Sequence, residues 1–300
     1  MKKKLLIIVL VILMFLAKAN YGQAPDLGTA YSFALFTSIG AFNNFGAISI
    51  TNVTGDIGTN AGAYTGFPPG IVTGQIHVAD DTSALVVTDL GLAYSFMNGI
   101  TCDTVIGTTL GNNQILPPNV YCIGAISLLN GDLTLDGQGD PNALFIFKID
   151  GALSTNTLSN INLINSASLC NVYWQINGAF SLGDSSVFRG NIIANGAINL
   201  LEHSILEGRG LSIGGAISLQ NNIVTIGVQP TAATISASTA TTFCEGESVE
   251  LSGNIDGIWS NSETTPTITV NTNGDYFVTN TNGCGSITSN IISVTVNPLP

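Results

Sequence analysis

One short pattern, glycine-alanine-apolar-polar, recurs through the first three quarters of the chain and constrains the fold more than any other feature. It stands at Gly46-Ala47-Ile48-Ser49, Gly124-Ala125-Ile126-Ser127, Gly151-Ala152-Leu153-Ser154, Gly178-Ala179-Phe180-Ser181, Gly196-Ala197-Ile198-Asn199 and Gly215-Ala216-Ile217-Ser218. The last four copies begin at 151, 178, 196 and 215, giving steps of 27, 18 and 19 residues. Such a period marks a solenoid, whose units bury a core only by stacking. Each late period holds three short apolar runs, for instance 172–176, 179–182 and 187–190. Three strands per coil predict a mainly β fold, a triangular β-helix with parallel pairing between coils.

Alternation along a strand assigns directions. With Phe180 and Leu182 inside, Ala179 and Ser181 point out. The same rule gives the outward pairs Ala47/Ser49, Ala125/Ser127, Ala152/Ser154, Ala197/Asn199 and Ala216/Ser218. Stacked coils would align them as ladders of small side chains, the candidate binding face. A second face would carry Thr54, Thr134, Asn160, Asn162 and Thr225. The remaining face, bearing Ile192 and Ala194, is expected under a helix. Residues 83–98 supply that helix: apolar side chains at 85, 86, 90, 93, 96 and 97 have helical spacing. Asp80, Asp81 and Thr82 are candidate N-caps and Gly99 a C-cap. Gly91 is expected to allow close approach to the strands.

The ends of the chain carry different signals. Lys2, Lys3 and Lys4 precede an apolar run over 5–17, then small residues including Ala17 and Ala19. The run is short for a membrane span of roughly 20 residues, and residues 1–22 read as a secretory signal peptide. Cleavage would leave Lys148, Arg189 and Arg209 against 19 acids, 3 − 19 = −16. So acidic a chain is not expected to bind nucleic acid. Only 9% of residues are charged while 45% are hydrophobic, so the surface must be mostly small and uncharged. Export suggests disulfides. Cys102 is expected to pair with Cys122 and Cys244 with Cys284, leaving Cys170 as a buried thiol. The solenoid is expected over 23–228, a linker over 229–234 and a second module over 235–297. The terminal Pro298-Leu299-Pro300 suggests that a further module follows.

Residues 27–226 resemble the microbial ice-binding protein family. The likeness rests on Phe33-Ala34-Leu35-Phe36, Thr54-Gly55-Asp56-Ile57-Gly58-Thr59, Gly66-Phe67-Pro68-Pro69-Gly70, and the run Asp136-Gly137-Gln138-Gly139-Asp140-Pro141-Asn142-Ala143-Leu144-Phe145-Ile146-Phe147. It extends to Cys170-Asn171-Val172-Tyr173-Trp174-Gln175-Ile176 and Phe188-Arg189-Gly190-Asn191-Ile192-Ile193-Ala194. The resemblance implies a right-handed β-helix, a helix alongside, a capping segment over 61–77 and adsorption to ice crystals. It also implies a Thr-Ala/Gly-x-Thr/Asn corner motif in strongly active members. Here the corners read Leu182-Gly183-Asp184-Ser185 and Leu201-Glu202-His203-Ser204, so moderate activity is expected. The last segment resembles an immunoglobulin-like β-sandwich through Cys244, Trp259, Cys284 and Gly274-Asp275-Tyr276-Phe277-Val278. It would serve as a spacer or a cell-surface tether.

Other chemistries find little support. Polysaccharide lyases and hydrolases share solenoid folds, but need carboxylate clusters with basic partners. After 22 the chain has one Lys, two Arg and only His77 and His203. No catalytic residues, metal site, cofactor or small-molecule substrate are expected. Asp132, Asp136 and Asp140 lack the calcium-loop pattern and read as a turn. Arg189 and Glu207 are expected to form a solvent-exposed pair of little value. An adhesin using the same face on glycan or protein is the alternative to an ice binder.

Overall fold

The computed structural model describes residues 23–45, 50–227, 230–282 and 284–299. The signal-like segment, the repeat copy Gly46-Ala47-Ile48-Ser49 and Gln229 of the expected linker lie outside the described residues.

Coil order departs from chain order. One eight-stranded sheet runs Tyr64–Thr65, Phe42–Asn44, Ile217–Leu219, Ile198–Leu200, Phe180–Leu182, Leu153–Thr155, Ser127–Asn130 and Thr109–Gly111. Residues 33–78 therefore build one end of the rod. Helix α1 (Asp81–Gly99) carries the chain to the other end, and the remaining coils wind back. They finish where Ile217 meets Phe42 and Thr225 meets Thr54. The segment expected as a cap forms part of the terminal coil, as Tyr64–Thr65, Ile71–Thr73 and Ile76–Val78.

A fifteen-stranded sheet supplies the other two faces. Val187–Ala194 and Ile205–Ser212 each turn the corner between them. Their first halves pair with Asn160 and with Ile223–Thr225; their second halves pair with Val172–Ile176 and Phe33–Thr37. Gly190 and Gly208 stand at the bend with φ of 115° and 140°, a conformation that disfavours any side chain.

Alternation fills the interior with one layer per coil. Tyr121, Phe147 and Trp174 lie in register on three coils, their ring centroids 5.1 and 3.9 Å apart. Such ring pairs contribute about 0.5–1.5 kcal/mol beyond area burial. Buried hydroxyls close the corners: Ser186 Oγ donates to Asn156 O at 2.8 Å, and Asn222 Nδ2 to Ser204 Oγ at 2.9 Å. These bonds matter because an unpaired buried polar group costs more than a satisfied one contributes.

Helix α1 begins at Asp80, whose carboxylate accepts from Ser83 N while Ser83 Oγ accepts from Asp80 N. Val86, Leu90, Ala93 and Met97 pack on Phe36, Val120, Ile146, Tyr173, Ile193 and Leu211. The covered face is the one expected, with two corrections. Ile192 and Ala194 point into the rod and it is Ile193 that meets the helix layer. Gly91 faces open space, so it serves no close approach. Leu85 and Phe96, apolar at helical spacing, are exposed. Among the described residues no helix is long and apolar enough to cross a membrane.

Arg209 is 1% exposed and forms no ion pair among the described residues. Its guanidinium donates to Tyr31 O and Asn191 Oδ1 and lies over the Tyr31 ring. Burial pulls its pKa below the ordinary arginine value.

The C-terminal segment folds into three small sheets of three strands around Leu251, Trp259, Ile268 and Val278. Their pairings are antiparallel except Thr242–Cys244 with Ile292–Asn297. Cys102 bonds to Cys122. The Cys244–Cys284 pairing is not formed: Cys284 bonds to Cys170, and Cys244 is a free, exposed thiol. The two Cα atoms of the 170–284 pair are 5.0 Å apart, across 114 residues of chain. The glycine at 227 leaves room beside both sulfurs, where a side chain would collide.

Candidate functional site

Glycine sets the geometry of the ladder face. A Cβ on Gly178 would lie 2.8 Å from Ala152 N, and one on Gly196 2.7 Å from Ala179 N. Real Cβ atoms do not approach so closely, so neighbouring coils can stack this tightly only through glycine. That is why the repeated pattern begins with it.

The residue after each glycine forms the first ladder. Phe42 N donates to Ala63 O, Ile217 N to Ala41 O, Ile198 N to Ala216 O, Phe180 N to Ala197 O, Leu153 N to Ala179 O and Ser127 N to Ala152 O. Six alanines are thereby aligned on consecutive coils: Ala63, Ala41, Ala216, Ala197, Ala179 and Ala152. Two residues further along each strand runs the second ladder. Thr65 pairs with Asn43, Asn43 with Ser218, Ser218 with Asn199, Asn199 with Ser181 and Ser181 with Ser154. At about 4.8 Å per coil the double ladder extends roughly 24 Å. Neither ladder carries an ionisable side chain.

The expected residues from Ala152 to Ser218 all stand in this array. Ala125 and Ser127 do not. Ser127 is 2% exposed and points inward opposite Leu153, while Ile126 takes the alanine position at 73% exposure. The cause is a missing corner residue. Asp150 and Asn177 precede the pattern in the next two coils, but Gly124 itself follows Ile123. The pattern therefore slides by one, and Leu128 replaces the polar rung.

Four ladder residues escaped the sequence reading: Ala41, Asn43, Ala63 and Thr65. A signal was present in Gly40-Ala41-Phe42-Asn43 and Gly62-Ala63-Tyr64-Thr65, both with an aromatic at the inward position. Tyr64 turns into the terminal coil beside Phe42 and Phe67, and burial pushes its hydroxyl pKa up to about 12.

The third face holds the secondary set, divided in two. Thr225, Thr54 and Thr73 align at one end, flanked by Ile223, Asn52 and Ile71. Thr134 and Asn162 align on the other side, with Asn160 Nδ2 donating to Asn162 Oδ1 at 2.6 Å. Between them Arg189 Nε donates to Glu207 Oε2 at 2.6 Å, and its other nitrogen to Asn160 Oδ1 at 3.0 Å. The pair is partly buried rather than fully solvated, at 24% and 38% exposure. The corner residues Asp184, Ser185, Glu202 and His203 are exposed, with Ser185 and His203 at positive φ.

His77 and the aspartates serve the fold. His77 Nδ1 lies 2.7 Å from Asp80 Oδ2 at the helix cap. Asp136 Oδ1 accepts from Gln138 N and Asn165 Nδ2, each at 2.9 Å, and so shapes its turn.

A parallel solenoid with one face under a helix and another an in-register array of small uncharged groups defines a class: binders that work by surface rather than by pocket chemistry. Residues 37–225 match the family model described as ice-binding-like, and the chain belongs to that family. It is 35% identical over 202 residues to an ice-binding protein of Nostoc sp. (strain HG1), covering 64% of this chain and 74% of that one. It is 30% identical to ice-binding protein 1 of Shewanella frigidimarina (strain NCIMB 400), covering 70% of this chain but 27% of the longer relative. A solved ice-binding protein from an Antarctic Flavobacteriaceae bacterium matches with a TM-score of 0.68 at 38% identity, over 72% of this chain and 52% of that one. One from Antarctomyces psychrotrophicus matches with a TM-score of 0.65 at 35% identity, over 69% and 100%.

Proposed function

We propose that the chain is a secreted, non-enzymatic ice-binding protein that adsorbs to ice through the alanine and serine/asparagine ladders. The observation that carries this reading is the run of six consecutive coils with small uncharged rungs in register. Alanine methyls hydrate weakly, while the Ser, Thr and Asn side chains hold water by hydrogen bonds. Fixed on a stiff lattice, these groups order a sheet of water that merges with a crystal plane. Short side chains lose little rotamer freedom when they do so. Thermal hysteresis and inhibition of ice recrystallisation test the reading. Ser181→Tyr or Ser218→Tyr should reduce both with circular dichroism unchanged. Full activity in both variants would overturn the assignment of the face.

The finer architecture belongs to the same proposal. Right-handed winding follows the strong preference of parallel crossovers. Residues 1–22 act as the export signal, 23–228 as the solenoid, 229–234 as linker and 235–297 as an immunoglobulin-like spacer or tether. Support for that module comes from the antiparallel sheets, buried Trp259, and Tyr276 Oη, which bonds to Thr272 O four residues upstream. A tyrosine bonded back to the chain in this way is a feature of such sandwiches.

A further inference from the structure

A cavity lies beside Gly124, where the pattern is displaced. Where α1 ends, the sheet beneath it continues, and its outward side chains change from apolar to polar. Cys122, Lys148 and Gln175 lie in register on three successive coils. Two residues along each strand stand Gly124, Asp150 and Asn177. Tyr94 and Asn98 of the helix wall one side, and the cavity has a volume of about 340 Å³. That lies at the lower end of the range for small-ligand sites, roughly 300–1,000 Å³.

Gln175 marks this as a built site. It is 3% exposed, yet lines the cavity. Its amide nitrogen donates to Asn98 Oδ1 at 2.8 Å and lies 3.4 Å from Tyr94 O, so a buried amide is held against the cavity wall. Lys148 Nζ donates to the carbonyls of Asn98 and Ile100 and retains a third N–H. Asp150 Oδ1 accepts from Asn177 Nδ2 at 3.0 Å, which leaves its second oxygen open. Asn98 has its amide nitrogen to spare. The cavity thus sets donors from Lys148 and Asn98 beside an acceptor from Asp150, with one positive and one negative charge that offset each other. The exposed Val105 and the Cys102–Cys122 bridge give it an apolar edge.

We infer that this cavity is a carbohydrate site that takes a single neutral hexopyranose ring. Hydroxyls both donate and accept, so they satisfy a mixed set of amide, carboxylate and ammonium groups. The ring's C–H surface suits the apolar edge. A free anion would meet Asp150 and a free cation Lys148, so neither fits as well as a neutral polyol. Nothing in this inference depends on ice adsorption.

Saturation-transfer NMR on the full chain, with glucose, galactose, mannose and N-acetylglucosamine as probes, tests it. At least one should bind. Two variants locate the site. A Cβ at Gly124 would meet nothing within 4 Å, so Gly124→Phe keeps the fold and fills the cavity. Asp150→Ala removes an exposed acceptor. Gly124→Phe should abolish binding, and Asp150→Ala should weaken it about tenfold, a change of ~1.4 kcal/mol. Absence of binding by all four sugars, or binding that neither variant alters, would overturn the inference.

Discussion

The two uncovered faces share the same coils, the same interior and the same spacing, yet differ in what they present. The ladder face shows alanine beside Ser, Thr or Asn over six coils. The third face begins as well, with Thr73, Thr54 and Thr225 in line, but Arg189 and Glu207 then interrupt it. Even partly buried, charged groups hold water more strongly than small hydroxyls and methyls do. On the proposed reading, scaffold alone does not make an ice-binding surface; an unbroken, in-register run of small groups does.

The comparison can be broken most severely through the backbone of the ladder. Gly196→Ala would push a Cβ against the neighbouring coil. It should cost about 1–3 kcal/mol, as overpacking does, and bow the face, lowering both melting temperature and hysteresis. Ser181→Tyr comes next: most hysteresis should vanish at unchanged melting temperature. Thr225→Tyr, the matching insult on the third face, should produce only a minor loss. The smallest effect sharpens the contrast in the other direction. Replacing Arg189 and Glu207 together by threonine should raise hysteresis slightly. The partly exposed ion pair should contribute less than about 1 kcal/mol to stability, which chemical denaturation would check.

Much of this was legible because short-range rules govern it. The inward and outward assignment of the ladder strands between 152 and 218 followed from alternation, though that of Ile192 and Ala194 did not, and the helix followed from its apolar spacing and its Asp80 cap. What escaped depends on stacking order. The first coils pack on the last, with Thr51 bonded to Asn222 across 171 residues; no local pattern says so. For that reason the aligned copies at Ala41 and Ala63 went unrecognised, while the copy at Gly46, outside the described residues, drew attention. The inward turn of Ser127 follows from the corner residue missing ahead of Gly124, which the four-residue pattern alone does not show. Cys102 pairs with Cys122 as expected, but the pairing of the other cysteines escaped in the same way. Cys244 and Cys284 share a segment, but the fold sets Cys284 beside Cys170.

Adsorption itself is the most direct test. The full chain, with Ser218→Tyr and Thr54→Tyr variants alongside, can be partitioned between growing ice and liquid and the bound fraction measured. The account predicts that the unaltered chain and Thr54→Tyr enter the ice fraction while Ser218→Tyr stays in the liquid. Exclusion of the unaltered chain, or retention of Ser218→Tyr with loss of Thr54→Tyr, would contradict it.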